Sequence, residues 1–208
     1  MSNKHTDKAP APAGKKRLFQ KRQMQIVEKA AKLFMEQGYA QTSMRQISKA
    51  TGIDLSNLYY FIESKEEILF RVFEMIHRPE SDIFHRKEIA GIDDPVEQLR
   101  VVIRKILNVG YKHKEEILLL YRESKLLSDK LRKAILAKEN HFVTHIEAIL
   151  TRGLGKKVFD FKDASFTANM IIFELSLYPL RSWNLKRHSL EELTDLIEQH
   201  IMKAVMAA

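Results

Sequence analysis

Residues 42–69, TSMRQISKATGIDLSNLYYFIESKEEIL, restrict the possible folds of this chain more than any other stretch. Ile47 and Ala50 recur at helical spacing, Gly52 and Ile53 follow, and a second short apolar run spans 58–62. Two short helices joined by a three- to four-residue turn containing Gly make a helix-turn-helix. Gly52 supplies the positive φ that the turn requires, and Ile53 can plug between the helices. Ser43 with Gln46 reads as a capping box, Asp54 as the cap of the second helix, and Ser64 with Glu67 as the capping box of a third. With Leu58 and Ile62 turned inward, Leu55, Ser56, Asn57, Tyr59 and Tyr60 remain for solvent or a partner. Part of one tyrosine ring is expected to pack on the neighbouring helix.

In this register the segment resembles the tetracycline-repressor (TetR) family of one-component transcriptional regulators. The residues carrying the resemblance are Thr42, Ile47, Ser48, Gly52, Ile53, Leu58, Tyr59, Tyr60, Ser64, Lys65, Glu66, Ile68 and Leu69. Upstream, IVEKAAKLFMEQGY, ending at Gly38 and Tyr39, looks like the family's first helix and its Gly-aromatic step. Three positions depart from the pattern: Phe61 replaces a His, Ile62 a Phe and Ser48 an Ala. The first removes an expected phosphate contact, and Ser48 needs a partner for its hydroxyl. The resemblance implies an all-α chain of about nine helices: an N-terminal three-helix helix-turn-helix domain, then a C-terminal helical ligand-binding and dimerisation domain. It further implies that the second short helix enters the major groove of double-stranded DNA at a palindromic operator. Leu55, Ser56 and Asn57 would then meet base edges. Tyr60 would pack on sugar or a thymine methyl, Thr42, Tyr59 and Lys65 would hold phosphates, and Arg45 would reach a base or a phosphate.

Charge placement agrees with that expectation. The chain carries +8 at pH 7, of which residues 1–23 hold a net +6 through Lys4, Lys8, Lys15, Lys16, Arg17, Lys21 and Arg22 against Asp7. A positive segment beside a helix-turn-helix is the electrostatic footprint of phosphate binding, although a solubilising tail has the same composition. Residues 1–16, polar and Ala-Pro-rich, read as a disordered basic arm, 17–64 as the DNA-binding domain and 65–208 as the effector and dimerisation domain. There is no cysteine, which excludes disulfides and thiolate metal sites. No apolar run reaches the ~20 residues of a membrane span, and the amino terminus lacks an apolar signal core. A cytoplasmic protein with no membrane partner is expected.

Further along, the spacing predicts a first helix over 18–37 with Gly38 as its stop, a connecting helix after Ser64, and Pro79 kinking or ending it. Residues 77–95 are either its continuation to about 90 or a separate short helix. Later helices are expected over 96–111, 114–127 and 129–153, then 162–181, which is apolar nearly all round, and one after Ser189.

No G-x-S-x-G, H-E-x-x-H or P-loop pattern is present, so no enzyme and no cofactor are expected. His141 and His145 stand at i, i+4, a spacing that can bind a metal, but no carboxylate joins them on that edge and no metal is assigned. Glu174 lies within the most apolar helix and needs a partner, an interface or a ligand. Leu107, Tyr121, Phe142, His145, Met170, Phe173 and Glu174 are the expected lining of a pocket for a small apolar effector. A Met-aromatic set of this kind equally makes plain core. LYRESKLL, with Arg104, Lys105 and Arg122 nearby, looks similar to the bodies of family members that sense fatty acyl-CoA. Lipophilic cations and other xenobiotics, with Glu174 as counter-charge, are the competing effectors. Ligand release of a repressor would work by moving the connecting helix and spreading two heads. A homodimer is expected through the helices at 162–181 and 189–206, with Ile197, Ile201, Ala204 and Val205 at the seam. The alternative class is a basic nucleoid- or membrane-associated helical protein without an effector.

Overall fold

Capping and chain stops divide the sequence into helices, and the computed structural model describes residues 13–207, side chains excepted at 13 and 77–82. Residues 1–12 of the expected arm lie outside the described residues. Among the described residues there are eleven α-helices and one 3-10 turn (Ser124–Leu126): α1 Ala13–Gln37, α2 Met44–Thr51, α3 Leu55–Phe61, α4 Lys65–His85, α5 Lys87–Ala90, α6 Pro95–Lys112, α7 Lys114–Glu123, α8 Asp129–Gly155, α9 Ala164–Leu175, α10 Leu177–Leu185 and α11 Leu190–Val205. The only pairing of extended residues among them is an isolated bridge between Phe159 and Met206. The all-α expectation therefore holds, with more helices than nine.

The chain forms two units, divided between Leu69 and Phe70. In the first, Ile26, Ala30 and Phe34 of α1, Ile47 of α2, Leu58 and Ile62 at α3, and Ile68 and Leu69 of α4 are buried. Each of the Ile, Leu and Phe side chains contributes about 1.5–3 kcal/mol when fully removed from water. The first turn of α4 thus belongs to this unit, five residues beyond the boundary expected at 64. The first helix also starts earlier than expected, at Ala13 rather than 18.

In the second unit, α6, α8, α9 and α11 surround one core of Leu99, Val102, Ile103, Leu107, Ile146, Leu150, Ile171, Ile201 and their neighbours. At the end of α8 the chain reverses over Gly153, where a Cβ would stand 1.9 Å from the Phe159 ring. Two expectations about helix continuity are decided here. Helix α4 continues past Pro79 to His85, and the extended backbone of Arg86 separates it from the short α5. The expected helix over 162–181 is instead two, broken at Ser176. Pro179 has no N–H for the Leu175 carbonyl, and the Ser176 N–H turns back to the Ile172 and Phe173 carbonyls, each at 3.1 Å.

Candidate DNA interface and ligand cavity

In the first unit, helix α2 starts on a complete Ser43–Gln46 capping box and stops on Gly52 at φ 71°. Ser48, which takes the place of an Ala, donates its hydroxyl hydrogen to the Ile53 carbonyl at 2.6 Å, so the departure ties the turn instead of straining it. Asp54 caps α3, accepting from the Asn57 backbone N–H at 3.0 Å and also from the Asn57 side-chain amide. Those two donors, the backbone one first, hold the Asp54 carboxyl below the ordinary carboxylate range.

Leu58 turns into the core, which leaves Ser56, Asn57, Tyr59 and Tyr60 of α3 and Arg45 of α2 exposed, and Leu55 half-buried. Tyr60 is 71% exposed, the greatest exposure of the tyrosines here. Its ring meets Phe19 of α1 edge-on at 5.5 Å, and Phe61, the replacement for His, packs on the same Phe19 at 5.1 Å. The Gln23 side chain donates to the Phe61 carbonyl at 2.7 Å. The tyrosine ring expected to pack on a neighbouring helix is thus Tyr60, on α1; the part played by Phe19 and Phe61 is not an expectation of the sequence, although Phe19, an aromatic in a basic stretch, is its signal.

Two expected phosphate ligands are placed otherwise. Thr42 is 2% exposed, and its hydroxyl donates to the Gly38 carbonyl at 2.8 Å while accepting from Gln37 at 3.2 Å. Its side chain closes the turn after α1 and has no hydrogen left for a phosphate. Lys65 extends its ammonium to the Tyr39 and Ala40 carbonyls, at 2.7 and 3.3 Å, and over the Tyr39 ring at 4.4 Å. These carbonyls lie just beyond the C-terminal end of α1, where the helix dipole favours a cation. Sequence spacing could not show that the turn after α1 competes with DNA for both groups.

The second unit holds a cavity of about 440 Å³. Its walls are mainly apolar, from Phe73 and Ile76 of α4, Ile106 and Gly110 of α6, Ile117 and Leu120 of α7, Ile135 and Phe142 of α8, and Ile172 and Leu175 of α9. Polar groups on the lining are Tyr121, Ser124, Lys125, Arg132, Glu139 and Ser176. Arg132 pairs with Asp129 at 2.6 Å, and Tyr121 bonds Ser176 at 3.2 Å across α7 and the α9–α10 break.

Of the seven side chains expected to line a pocket, Tyr121 and Phe142 do so. Leu107 is buried in the core. His145 stacks on Phe84 at 4.6 Å, with its Nδ1 2.8 Å from the His141 carbonyl, so that nitrogen carries the proton. Met170 and Phe173 point to solvent, and Glu174 pairs with His200 at 2.8 Å. For the three residues of α9, Met170, Phe173 and Glu174, the correction has one cause. Helix α9 is apolar all round, so its composition could not choose which face turns inward. Ala168, Ile171 and Leu175 are the residues that do, and Ile172, Leu175 and, at the break, Ser176 face the cavity. Arg104, expected near a pocket mouth, is held instead by Asp195 and Glu198; the hydrogen bond to Asp195 chiefly raises its already high pKa.

The expected dimer seam is corrected similarly. Ile197, Ile201 and Val205 are at most 5% exposed, inside the core of their own subunit. Ala204 is exposed, as are Leu196 and His200 on the outer face of α11 and the stripe of Phe166, Met170 and Phe173 on α9. Among the described residues no group of three or more His, Asp or Glu is arranged to hold a metal ion, and no helix is long and apolar enough to cross a membrane.

Comparison with known proteins gives this geometry its context. Residues 26–72 match the family model described as "Bacterial regulatory proteins, tetR family", and residues 92–176 match "Tetracyclin repressor-like, C-terminal domain". The chain is similar to the HTH-type transcriptional regulator HbdR of Aromatoleum sp. (strain CIB), 30% identical over 53% of this chain and 48% of that protein. It is similar to the fatty acid metabolism regulator protein of Bacillus subtilis (strain 168), 29% identical over 63% of this chain and 67% of that one. The matched part thus spans about half the length of the first relative. Among solved structures, PfmR of Thermus thermophilus is 25% identical with a TM-score of 0.76, covering 86% of this chain and 97% of that one. AibR, in a crystal with isovaleryl coenzyme A and operator DNA, shares the fold at 23% identity and a TM-score of 0.73, with the same coverage. The helix-turn-helix, the helical body and both family matches agree: this chain belongs to the TetR family of transcriptional regulators, which bind DNA and are not enzymes.

Proposed function

We propose that this chain is a ligand-responsive regulator that binds a palindromic operator as a two-fold homodimer and is released by an amphipathic effector with an acyl chain, in the manner of a fatty acyl-CoA. The observation that carries the effector reading is the cavity: apolar walls with two cations, Lys125 and Arg132, against one acid, Glu139, on its lining. A volume of about 440 Å³ is in the range of small-molecule pockets and accommodates an acyl chain, leaving an anionic headgroup to the two cations. The fatty acid regulator and the isovaleryl-CoA complex of AibR support the same class. Phe73 and Ile76 belong to α4, the helix whose first turn is built into the DNA-binding unit. A ligand with different affinities for two positions of α4 therefore shifts the DNA-binding equilibrium. The lipophilic-cation reading loses Glu174 as its counter-charge, since that acid is engaged with His200 and is not on the cavity wall, and keeps only Glu139, the one acid among the lining residues.

At the DNA, α3 supplies Ser56, Asn57 and Tyr60 to the major groove, with Leu55, Arg45 and Tyr59 beside them. Asn57 can pair an adenine bidentately once its amide leaves Asp54. Asn57→Ala should cost about 1–3 kcal/mol at one base position of an operator selected from a random duplex library. A thermal-shift panel of acyl-CoAs, free fatty acids and cationic dyes tests the effector. Acyl-CoA should stabilise the protein, and Arg132→Ala with Lys125→Ala should weaken that effect. Stabilisation by dyes alone would replace the acyl-CoA reading with the cationic one.

A further inference from the structure

The first three turns of α1 have no part in the core of the first unit. Between residues 14 and 25 no side chain is buried; the buried series starts only at Ile26. This segment carries Lys15, Lys16, Arg17, Lys21 and Arg22, with no acidic residue between 13 and 27. Among the described residues none of these five cations has an ion pair; Arg22 bonds only the neutral Gln25, at 3.2 Å. Five unneutralised cations repel one another, and at the start of a helix they also oppose its dipole. The segment nevertheless stays helical, fastened to the recognition helix by Phe19 against Tyr60 and Phe61 and by Gln23 on the Phe61 carbonyl. On a wheel at about 100° per residue, Lys15, Lys16 and Arg22 lie within roughly 60° of Phe19, so they flank the clamp.

We infer that the α1 extension is a second DNA-contacting element: a rigid basic spur, locked to α3, that holds the phosphate backbone beside the groove α3 enters. The inference rests on the DNA-binding reading and adds to it. A backbone is the partner because the cations are spread around the helix and have neither a pocket nor a planar acceptor to read, which suits a distributed anion and no particular base. The clamp keeps the cations at a fixed position relative to the base-reading residues, so their contribution is set by the packing of Phe19 as well as by charge. Phe61, standing where the family pattern has a His, exchanges a polar group for that packing.

Fluorescence anisotropy with a short mixed-sequence duplex, across roughly 50 to 200 mM salt, tests this. The variant Lys15→Gln/Lys16→Gln/Arg22→Gln should bind about tenfold more weakly or worse, with the slope of log K against log salt reduced by about two to three. Phe19→Ala, which keeps every charge, should lose much of the same slope while its melting curve stays cooperative. Neutralising Lys133, Lys162 and Lys186 in the second unit should leave the slope in place. Wild-type slope in the first triple variant overturns the spur, and an equal loss in the second triple variant reduces it to net charge. Full slope in Phe19→Ala overturns the clamp. Failure of the wild-type protein to bind any duplex at low salt would instead refute the DNA-binding reading itself.

Discussion

Lys65 is the residue whose role the tertiary structure changes most. Its ammonium meets two carbonyls and the Tyr39 ring, joining the start of α4 to the end of α1. Lys65→Ala should therefore lower stability by about 1–2 kcal/mol in denaturant unfolding, since carbonyls bonded to a charged donor lose it. A phosphate ligand would instead leave stability unchanged and reduce the salt slope of DNA binding by about one. Asp54 makes a pH prediction. Its folded pKa lies below the ordinary value of 3.8, so its contribution is present above that pH and is lost as pH falls through the folded value. Asp54→Asn keeps a capping side chain without the titration. The stability advantage of the wild type over this variant should shrink below about pH 4 in acid titrations followed by circular dichroism. An advantage that does not change as the pH falls would assign the capping to something other than the ionised carboxylate.

At the scale of elements, α11 is held to α6 by more than apolar contact. Glu198 is 5% exposed and pairs with both Arg100 and Arg104, and Arg104 also reaches Asp195 at 2.7 Å. Removing the acid strands two guanidiniums that remain partly in water. Glu198→Ala should thus cost about 1–3 kcal/mol, less than breaking a fully buried pair. Reversible urea melts would measure it, and a loss under a few tenths would make the network incidental. Tyr111 on α6 is linked to the same helix by the Thr194 hydroxyl at 3.1 Å, and burial pushes its phenol above the ordinary range. The α9–α10 break has its own logic. Pro179 offers no N–H to the Leu175 carbonyl, and Ser176, at the break, becomes part of the cavity wall.

For the whole molecule, the exposed α9 stripe leads to a test of assembly. Phe166 and Phe173 are 67% and 60% exposed on one face, with Leu196 and Ala204 exposed on α11, whose His200 bonds α9 through Glu174. Large apolar side chains grouped in this way mark an interaction surface, and a palindromic operator requires two copies. Phe166→Asp with Phe173→Asp should give a folded monomer in light scattering with operator binding lost. Ile197→Asp with Ile201→Asp should unfold the second unit instead, because those side chains fill its core. A dimer that survives the first pair would place the seam on another face.

Local chemistry was enough for much of this protein. The caps at Ser43 and Asp54, the left-handed Gly52 and the i, i+4 pair Leu58 and Ile62 specify the helix-turn-helix over a few residues, where near neighbours decide conformation. The all-α class followed from the resemblance that those same residues carry. Decisions between distant segments were not available there. Thr42 and Lys65 are committed to the turn after α1, Glu174 to His200, and the inward faces of α9 and α11 to their own core. Each depends on which group stands opposite in space, and an apolar helix carries no mark of the side it will bury until packing selects one.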